Sequence, residues 1–162
     1  MAVDMFLKLE GVDGEAADKQ HSKQIDVLSW SWGAANHGSA HVGGGAGSGK
    51  VQAQDLHITK YVDSSSPKLL LSCFSGKHHA NALLSVRKAG GPSPVEYFQI
   101  KLQEVFITSV SSGGHGHDDR LTEQVSLNFS KVEVDYTPQT AKGAAGTPIT
   151  FSWDIASNSA EV

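Results

Sequence analysis

Apolar and polar residues alternate along most of this chain. Near its start, Val3, Met5 and Leu7 alternate with Asp4 and Lys8, a period of two that is typical of a β-strand with one buried face. Turn-forming glycines and prolines separate one alternating segment from the next. The pattern predicts about seven strands, over residues 3–9, 25–33, 51–61, 82–88, 95–110, 121–137 and 149–155.

One segment departs from this alternation and predicts a short α-helix at about Pro67–Ser75. Ser66 suits the N-cap, Pro67 suits the first helical position, and Gly76 suits the position just after the last turn. Four apolar residues lie on one side at a spacing of four: Leu69 with Cys73, and Leu70 with Phe74. We expect this apolar stripe to pack on a sheet.

Three of the predicted strands change phase midway. In the second strand, Ile25 and Val27 share one face, whereas Leu28, Trp30 and Trp32 share the other. Similar shifts occur at residues 53–56 and 129–132. Such a shift moves apolar side chains across the sheet, either because a bulge bends a long strand or because different neighbours bury the two faces of the strand. Both readings predict a mainly β fold, a curled β-barrel or two-sheet sandwich with the helix on its flank.

The glycine-rich segment at about 34–50 resembles a phosphate-binding loop only in part. Gly44–Lys50 reads GGAGSGK and fits the pattern G-x-x-x-x-G-K. Val51 follows instead of the Ser or Thr that would bind Mg²⁺, and the next residues predict a strand rather than a helix whose amides would hold a phosphate. We therefore interpret the segment as an extended connection between strands, long enough to require a purpose.

Length, charge and cysteine content exclude several classes of protein. The 162 residues predict one domain over 1–162, and the net charge of −4 argues against a nucleic-acid partner, which usually requires a basic patch. Cys73 is the only cysteine, so no intrachain disulfide forms. The first residues lack the apolar core of a signal peptide, and no apolar run reaches the roughly 18 residues of a membrane span. We expect cytoplasmic synthesis without membrane insertion.

Candidate catalytic and metal-binding residues fall mostly in predicted loops. His115 and His117 precede Asp118–Asp119 at a metal-like spacing, but we interpret them as solvated loop side chains. The same interpretation covers the remaining histidine pairs, His37 with His41 and His78 with His79. Cys73 lies on the apolar side of the predicted helix, which favours a structural role, and no G-x-S-x-G motif is present. We expect no catalytic residue, no cofactor and no metal site.

Several segments, taken together and in order, resemble one known family. They are MAVDMFLKLEGVDGE, QIDVLSWSWG, the glycine-rich loop, VQAQDLHITKYVDSSSPKLL, CFSGKHH, LSVRKAGG, VEYFQIKLQEVFITSVSSGG, DRLTEQVSLNFSKVEVDYTPQ and FSWDI. This set is similar to the Hcp (haemolysin-coregulated protein) family, the tube proteins of bacterial type VI secretion systems. The resemblance covers nearly the whole chain and departs mainly in loops, including His115 and His117, and in the tail after Ile155.

The resemblance implies an assembly and a set of partners. Six copies would form a ring, and rings would stack into a tube that a contractile sheath propels. Partners would be the type VI spike, sheath and baseplate components, and small effector proteins held in the ring lumen. The protein would leave the cell through this apparatus without a Sec signal peptide.

The resemblance also directs attention to two groups of residues. Ser29 and Ser31 alternate with Trp30 and Trp32, whose rings should face the core, so the serines would line either the lumen or an ordinary solvent-facing surface. In the family, the loop after the second strand reaches toward the next ring, and glycines permit close approach of the backbone. The expected ring-stacking residues are Gly38, Gly43, Gly44, Gly45, Gly47, Gly49 and Lys50.

Two other functions remain open from the sequence. One is a monomeric β-barrel that binds a small ligand in an apolar cavity. The other is a metal-dependent hydrolase built on residues 115–119. The sequence features described above favour neither over a tube subunit.

Overall fold

A computed structural model describes residues 2–38, 49–88 and 93–160. Within them lie eleven strands and one helix, numbered in chain order: β1 Val3–Leu9, β2 Ile25–Asp26, β3 Ser29–Ser31, β4 Ala34–Ala35, β5 Gln52–Ala53, β6 Leu56–Tyr61, α1 Ser66–Ser75, β7 His78–Lys88, β8 Glu96–Gly113, β9 Thr122–Asn128, β10 Lys131–Tyr136 and β11 Ile149–Asp154. The fold is mainly β with a single helix in the described residues, as the sequence predicts.

Strand β8 organises a nine-stranded antiparallel sheet. The order along the sheet is β2-β1-β7-β8-β9-β6-β3, and β10 lies between β8 and the edge strand β11. The first half of β8 pairs with β7 and β10, whereas its second half pairs with β9. Glu104 adopts a positive φ of 54° where this change of partner begins, and the register with β9 shifts between Ile107 and Ser109.

The sheet curls until its two ends become consecutive parts of one segment. β2 pairs with β1 and β3 pairs with β6, and only Val27 and Leu28 separate them. The amide of Val27 donates to the carbonyl of Met5 at 3.0 Å, and the amide of Leu28 donates to that of Thr59 at 2.8 Å. In the described chain no ladder joins β1 to β6, so the predicted curled barrel is bridged by this segment rather than closed.

The three phase changes in the sequence mark changes of strand partner. At each of them the predicted long strand is two strands: β2 and β3, β5 and β6, or β9 and β10. β2 pairs with β1 whereas β3 pairs with β6, and β9 and β10 share β8 but differ in their second neighbour, β6 for β9 and β11 for β10. The structure thus has a change of strand partner at these positions instead of one continuous strand, and apolar side chains follow the core when the partner changes.

Branched apolar side chains fill the inside of the curl. Eleven of them in the described chain have 1% or less of their surface exposed: Leu7, Ile25, Leu56, Leu69, Leu84, Ile100, Leu102, Val105, Ile107, Val125 and Leu127. Trp30 and Trp32 pack against this cluster while half-buried, as their alternation with serine predicts. The interior is therefore a packed core, which does not favour the small-ligand barrel.

Helix α1 spans Ser66–Ser75 and ends at Gly76 in the left-handed conformation, with φ of 68°, as predicted. Ser65 rather than Ser66 is the N-cap. The predicted apolar stripe is half wrong. Leu69 is fully buried. Leu71 and Phe74 are 66% and 88% exposed, so the solvent side of the helix, which also carries Leu70, is apolar as well.

A buried ionic network attaches the start of α1 to the sheet. Lys60 of β6 and Glu123 of β9 are fully buried and form an ion pair. The ammonium group also lies 3.0 Å from Asp63 and donates to the Ser66 hydroxyl at 3.2 Å. Ser66 in turn donates to Glu123, which explains why this serine is used inside the fold and not as a cap.

The glycine-rich segment emerges from a second, two-stranded sheet. Ala34–Ala35 of β4 pair with Gln52–Ala53 of β5, so a strand follows Lys50, as the argument against a phosphate loop predicts. Of the expected ring-stacking residues, Gly43, Gly44, Gly45 and Gly47 lie outside the described residues.

Candidate functional site

Ser29 and Ser31 are exposed on the solvent side of β3, and Trp30 between them faces the core. The cross-strand register extends each serine into a row across four strands. One row is Ser31, His57, Ser126 and Ser109, and the other is Ser29, Thr59, Gln124 and Ser111. We call these eight residues the hydroxyl face.

Hydrogen bonds connect part of the first row. The Ser109 hydroxyl donates to the Ser126 hydroxyl at 2.9 Å, and the Ser126 oxygen lies 2.7 Å from Nδ1 of His57. The two rows border a groove of about 260 Å³. The groove offers hydroxyl, amide and imidazole groups to a ligand or to a passing polypeptide.

An apolar layer under the hydroxyl face holds these side chains in place. Trp30, Ile58, Val125 and Val110 occupy the alternate positions of the same four strands and pack into the core. Trp30 stacks on Phe98 with ring centroids 5.4 Å apart. Because each polar residue alternates with a packed one, the face keeps a fixed arrangement.

In the described part of the chain, charged side chains border the two ends of the hydroxyl face. At one end, Asp55 accepts hydrogen bonds from Thr108 at 2.7 Å and from Asn128 at 2.8 Å. At the other end, the Arg120 guanidinium lies 3.8 Å from the centre of the Tyr61 ring. The eight residues between them include no acid, lysine or arginine.

The surface of β1, β7, β8 and β10 is charged by contrast. Lys8, Lys101 and Glu133 fall in one cross-strand row there, beside a groove of about 750 Å³. The hydrogen bond that Lys101 donates to Asp135 raises the pKa of Lys101 above its usual value. The low charge of the hydroxyl face is thus a local property and not one of the whole chain.

The described ends of the glycine-rich loop lie close together. A Cβ atom on Gly49 would come within 2.7 Å of the His37 carbonyl oxygen, so the two strands leave the β4–β5 sheet side by side. Gly38 donates its amide to Asn36 at 3.1 Å, and Lys50 is exposed. The structure therefore brings Gly38, Gly49 and Lys50 together at the base of the loop.

The candidate metal and catalytic residues do not converge. His115 and Asp118 form a solvent-exposed turn in which the Asp118 carboxylate accepts the His115 amide at 3.0 Å. No group of three or more His, Cys, Asp or Glu side chains suited to a metal ion occurs in residues 2–38, 49–88 and 93–160. Cys73 is half-buried against the core, in keeping with a structural role.

His79 corrects one sequence-based expectation. Both His78 and His79 lie in β7 and not in a loop. His79 is buried, and its two ring nitrogens lie 2.8 Å from the Glu10 carbonyl and 2.9 Å from the Ser72 hydroxyl. It therefore connects α1 to the end of β1.

Sequence reasoning identified only two of the eight residues of the hydroxyl face. The signal for the others was the alternation itself, since His57 and Thr59 fall between Leu56, Ile58 and Lys60. What the sequence could not supply was the register that aligns β3, β6, β9 and β8 into rows.

No helix in the described part of the chain is long and apolar enough to cross a membrane.

Comparisons with known proteins agree on one family. The family model described as "Type VI secretion system effector, Hcp" matches residues 6–136. The chain is 56% identical over 159 residues to "Protein hcp1" of Pseudomonas aeruginosa, which covers 98% of both proteins. Among solved structures, Hcp1 from Salmonella typhimurium is similar with a TM-score of 0.82 and 36% identity, covering 99% of this chain and 100% of that one. A second structure, described as a type six secretion system protein, has a TM-score of 0.92 at 31% identity, with 99% and 100% covered.

Proposed function

This chain belongs to the Hcp family of type VI secretion tube proteins, and we propose that six copies form a ring whose lumen is lined by the hydroxyl face. Rings would stack into the tube that the secretion apparatus expels. A single domain over residues 1–162, with its glycine-rich loop at about 34–50, would supply both contacts. The observation that carries the proposal is the alignment of Ser29 and Ser31 with six further polar residues on one face of the sheet.

The chemistry of this face suits the wall of a channel. A wall that must pass different proteins should not bind any of them tightly. Fixed charges or apolar patches on the wall would bind some of these proteins tightly. Serine, threonine and glutamine instead exchange hydrogen bonds with water and with a passing chain at little net free energy. The hydroxyl face could thus retain small effectors weakly and release them.

Ring formation requires two different surfaces on each subunit, because the contact around a ring is heterologous. The described chain offers exposed apolar side chains in several places, among them Leu71 and Phe74 of α1 and Ile149 and Phe151 of β11. These surfaces support assembly in general terms. The further partners we propose are the type VI spike, the sheath and baseplate components, and small effectors, with no nucleic acid and no cofactor.

The secretory route and the absence of catalysis complete the proposal. Hcp is a type VI secreted protein family, and we propose cytoplasmic synthesis followed by export through the apparatus itself. A purely structural role agrees with the dispersal of histidine, cysteine and acidic side chains described above. Metal binding by residues 115–119 receives no support from their exposed turn.

The proposed ring-stacking role of the loop predicts a specific defect. Deletion of Gly43–Gly49 should leave rings intact but shorten or abolish tubes, because the β4–β5 base lies outside the main sheet. Ring and tube populations are counted by negative-stain electron microscopy. Normal tubes from the deleted protein would contradict this role.

The lumen assignment predicts the effect of Ser31→Gln. Glutamine adds bulk and a longer amide to the middle of the hydroxyl face, so effector retention should fall several-fold while rings stay intact. The matched control is Ser75→Gln on the exposed end of α1, which should retain effectors normally. Retention is measured by co-purification of a co-expressed effector with rings, and equal retention by both variants would contradict the assignment.

A further inference from the structure

We propose that His57 makes the hydroxyl face selective for acidic polypeptide segments when its imidazole is protonated. This inference rests on the proposed function, because it assigns the class of cargo that the lumen would retain. The site consists of His57 with Ser31, its cross-strand neighbour on β3, and with Ser126 and Ser109 on the other side. Its ligand would be a carboxylate of a cargo protein.

The hydrogen-bond chain determines which nitrogen of His57 faces outward. Ser109 donates to Ser126, which leaves the Ser126 hydroxyl proton free to point at Nδ1 of His57. In the neutral ring Nδ1 then accepts and Nε2 carries the proton. An N–H donor of the exposed imidazole is therefore available to a ligand in either charge state.

Protonation can occur without leaving a polar group unpaired. When Nδ1 gains a proton, it donates to Ser126, whose hydroxyl can turn and donate to Ser109, which is exposed. Hydroxyl groups act as both donor and acceptor, so the chain simply reverses its direction. The ring then carries a positive charge, and a hydrogen bond from a charged donor to a carboxylate is stronger than one between neutral groups.

Few other charged groups lie near enough to His57 to offset the positive charge of its protonated ring. Of the elements packed beside His57, β3 presents Ser29 and Ser31, β9 presents Gln124 and Ser126, and β8 presents Ser109 and Ser111. On β6 itself, Asp55 precedes His57 by two residues and is already hydrogen-bonded to Thr108 and Asn128. Tyr61 and Arg120 lie at the far end of the face, roughly 13 Å along the strand.

The charged groups beneath β6 do not face His57. Lys60 and Glu123 are buried on the core side and neutralise each other. Histidine is the side chain that ordinarily changes charge between about pH 5 and 8. A protonated His57 would add one positive charge to the eight residues of the face, and a ring would repeat that charge once in every subunit.

The test uses intact rings and a defined probe. A fluorescein-labelled oligoglutamate peptide is titrated with rings at pH 5.5 and pH 7.5, and binding is followed by fluorescence anisotropy. A glycine–serine peptide of the same length serves as the uncharged probe. Rings are verified by electron microscopy at both pH values, so that loss of binding is not confused with loss of assembly.

Wild-type rings should bind oligoglutamate about tenfold more tightly at pH 5.5 than at pH 7.5, with little change for the uncharged peptide. His57→Gln should remove most of this difference, and His57→Lys should bind tightly at both pH values. His78→Gln, which alters an exposed histidine of β7 outside the face, should behave as wild type.

Two results would overturn the inference: no pH dependence in wild-type rings, or full pH dependence in the His57→Gln variant. Failure of the proposed function is recognised separately. Suppose that Ser31→Gln leaves effector retention unchanged while His57→Gln removes the pH effect. The carboxylate-binding site at His57 is then retained, and its location in the ring lumen is rejected.

Discussion

Lys60 and Glu123 place a pair of opposite charges where solvent does not reach. Lys60 is the largest of the side chains that are fully buried, and its ammonium group is held by Glu123, Asp63, Ser66 and the Tyr61 carbonyl. Removing one member of such a pair leaves a buried charge without its partner, which typically costs about 3–5 kcal/mol of stability.

Glu123→Gln should therefore lower the free energy of unfolding by about 3 kcal/mol. Asp63 remains as a carboxylate partner of Lys60, which places the loss at the lower end of the range. Urea denaturation at one fixed protein concentration measures it. The control is Glu133→Gln, which breaks a half-exposed pair with Lys101 and should cost less than about 1 kcal/mol. Equal losses for the two variants would contradict this account of the network.

Asp18 supports a prediction about acid stability. The hydrogen bond from Arg87 holds the pKa of Asp18 below its usual 3.8. Because the folded-state pKa is the lower one, the carboxylate stabilises the fold above about pH 4, and this contribution disappears as the pH falls through the folded-state pKa.

Asp18→Asn should accordingly be less stable than wild type at pH 7 and should match it near pH 2. Urea midpoints measured across this range provide the test. Asp119→Asn, in an exposed loop, is the control and should follow wild type throughout. A gap between Asp18→Asn and wild type that persists at the acid end would show that the aspartate acts by some means other than its charge.

At the scale of elements, helix α1 shows what hydrophobic periodicity could and could not predict. Proline, the terminal glycine and the apolar residues correctly gave its extent. They did not identify the buried side, because apolar residues cover both sides, and Ser66 and Ser72 occupy buried positions that the pattern assigns to solvent. The decisive contacts are with Lys60, Glu123 and His79, which lie far from the helix in sequence.

Substitutions at Leu69 and Leu71 distinguish the two sides of the helix. Leu69→Ala should reduce the free energy of unfolding by about 2–4 kcal/mol, since it leaves a cavity under α1. Leu71→Ala, at a site 66% exposed, should change the stability of the subunit by less than about 0.5 kcal/mol. Thermal or urea unfolding of the two variants decides the matter, and comparable losses would mean that the helix packs through its other side.

For the whole molecule, the sequence predicted the strand content, the helix and the family, but not the way in which the sheet curls. Alternation identifies strands because the pleat has a fixed period. Partner choice depends on contacts between distant segments, and only the structure showed that residues 25–31 bridge β1 and β6. The hydroxyl face follows from that arrangement, which is why Ser29 and Ser31 were predicted without their six companions.

The central claim, that the hydroxyl face lines the lumen of a ring, can be tested by locating Ser31 directly. In a Cys73→Ala background, which removes the only native cysteine, Ser31→Cys and Lys8→Cys, the latter on the charged surface of β1, are each labelled with maleimide-coupled gold and imaged as rings by electron microscopy. The account predicts gold within the central hole for the Ser31→Cys protein and outside it for the Lys8→Cys protein. Gold on the outer rim of the Ser31→Cys rings would contradict the account.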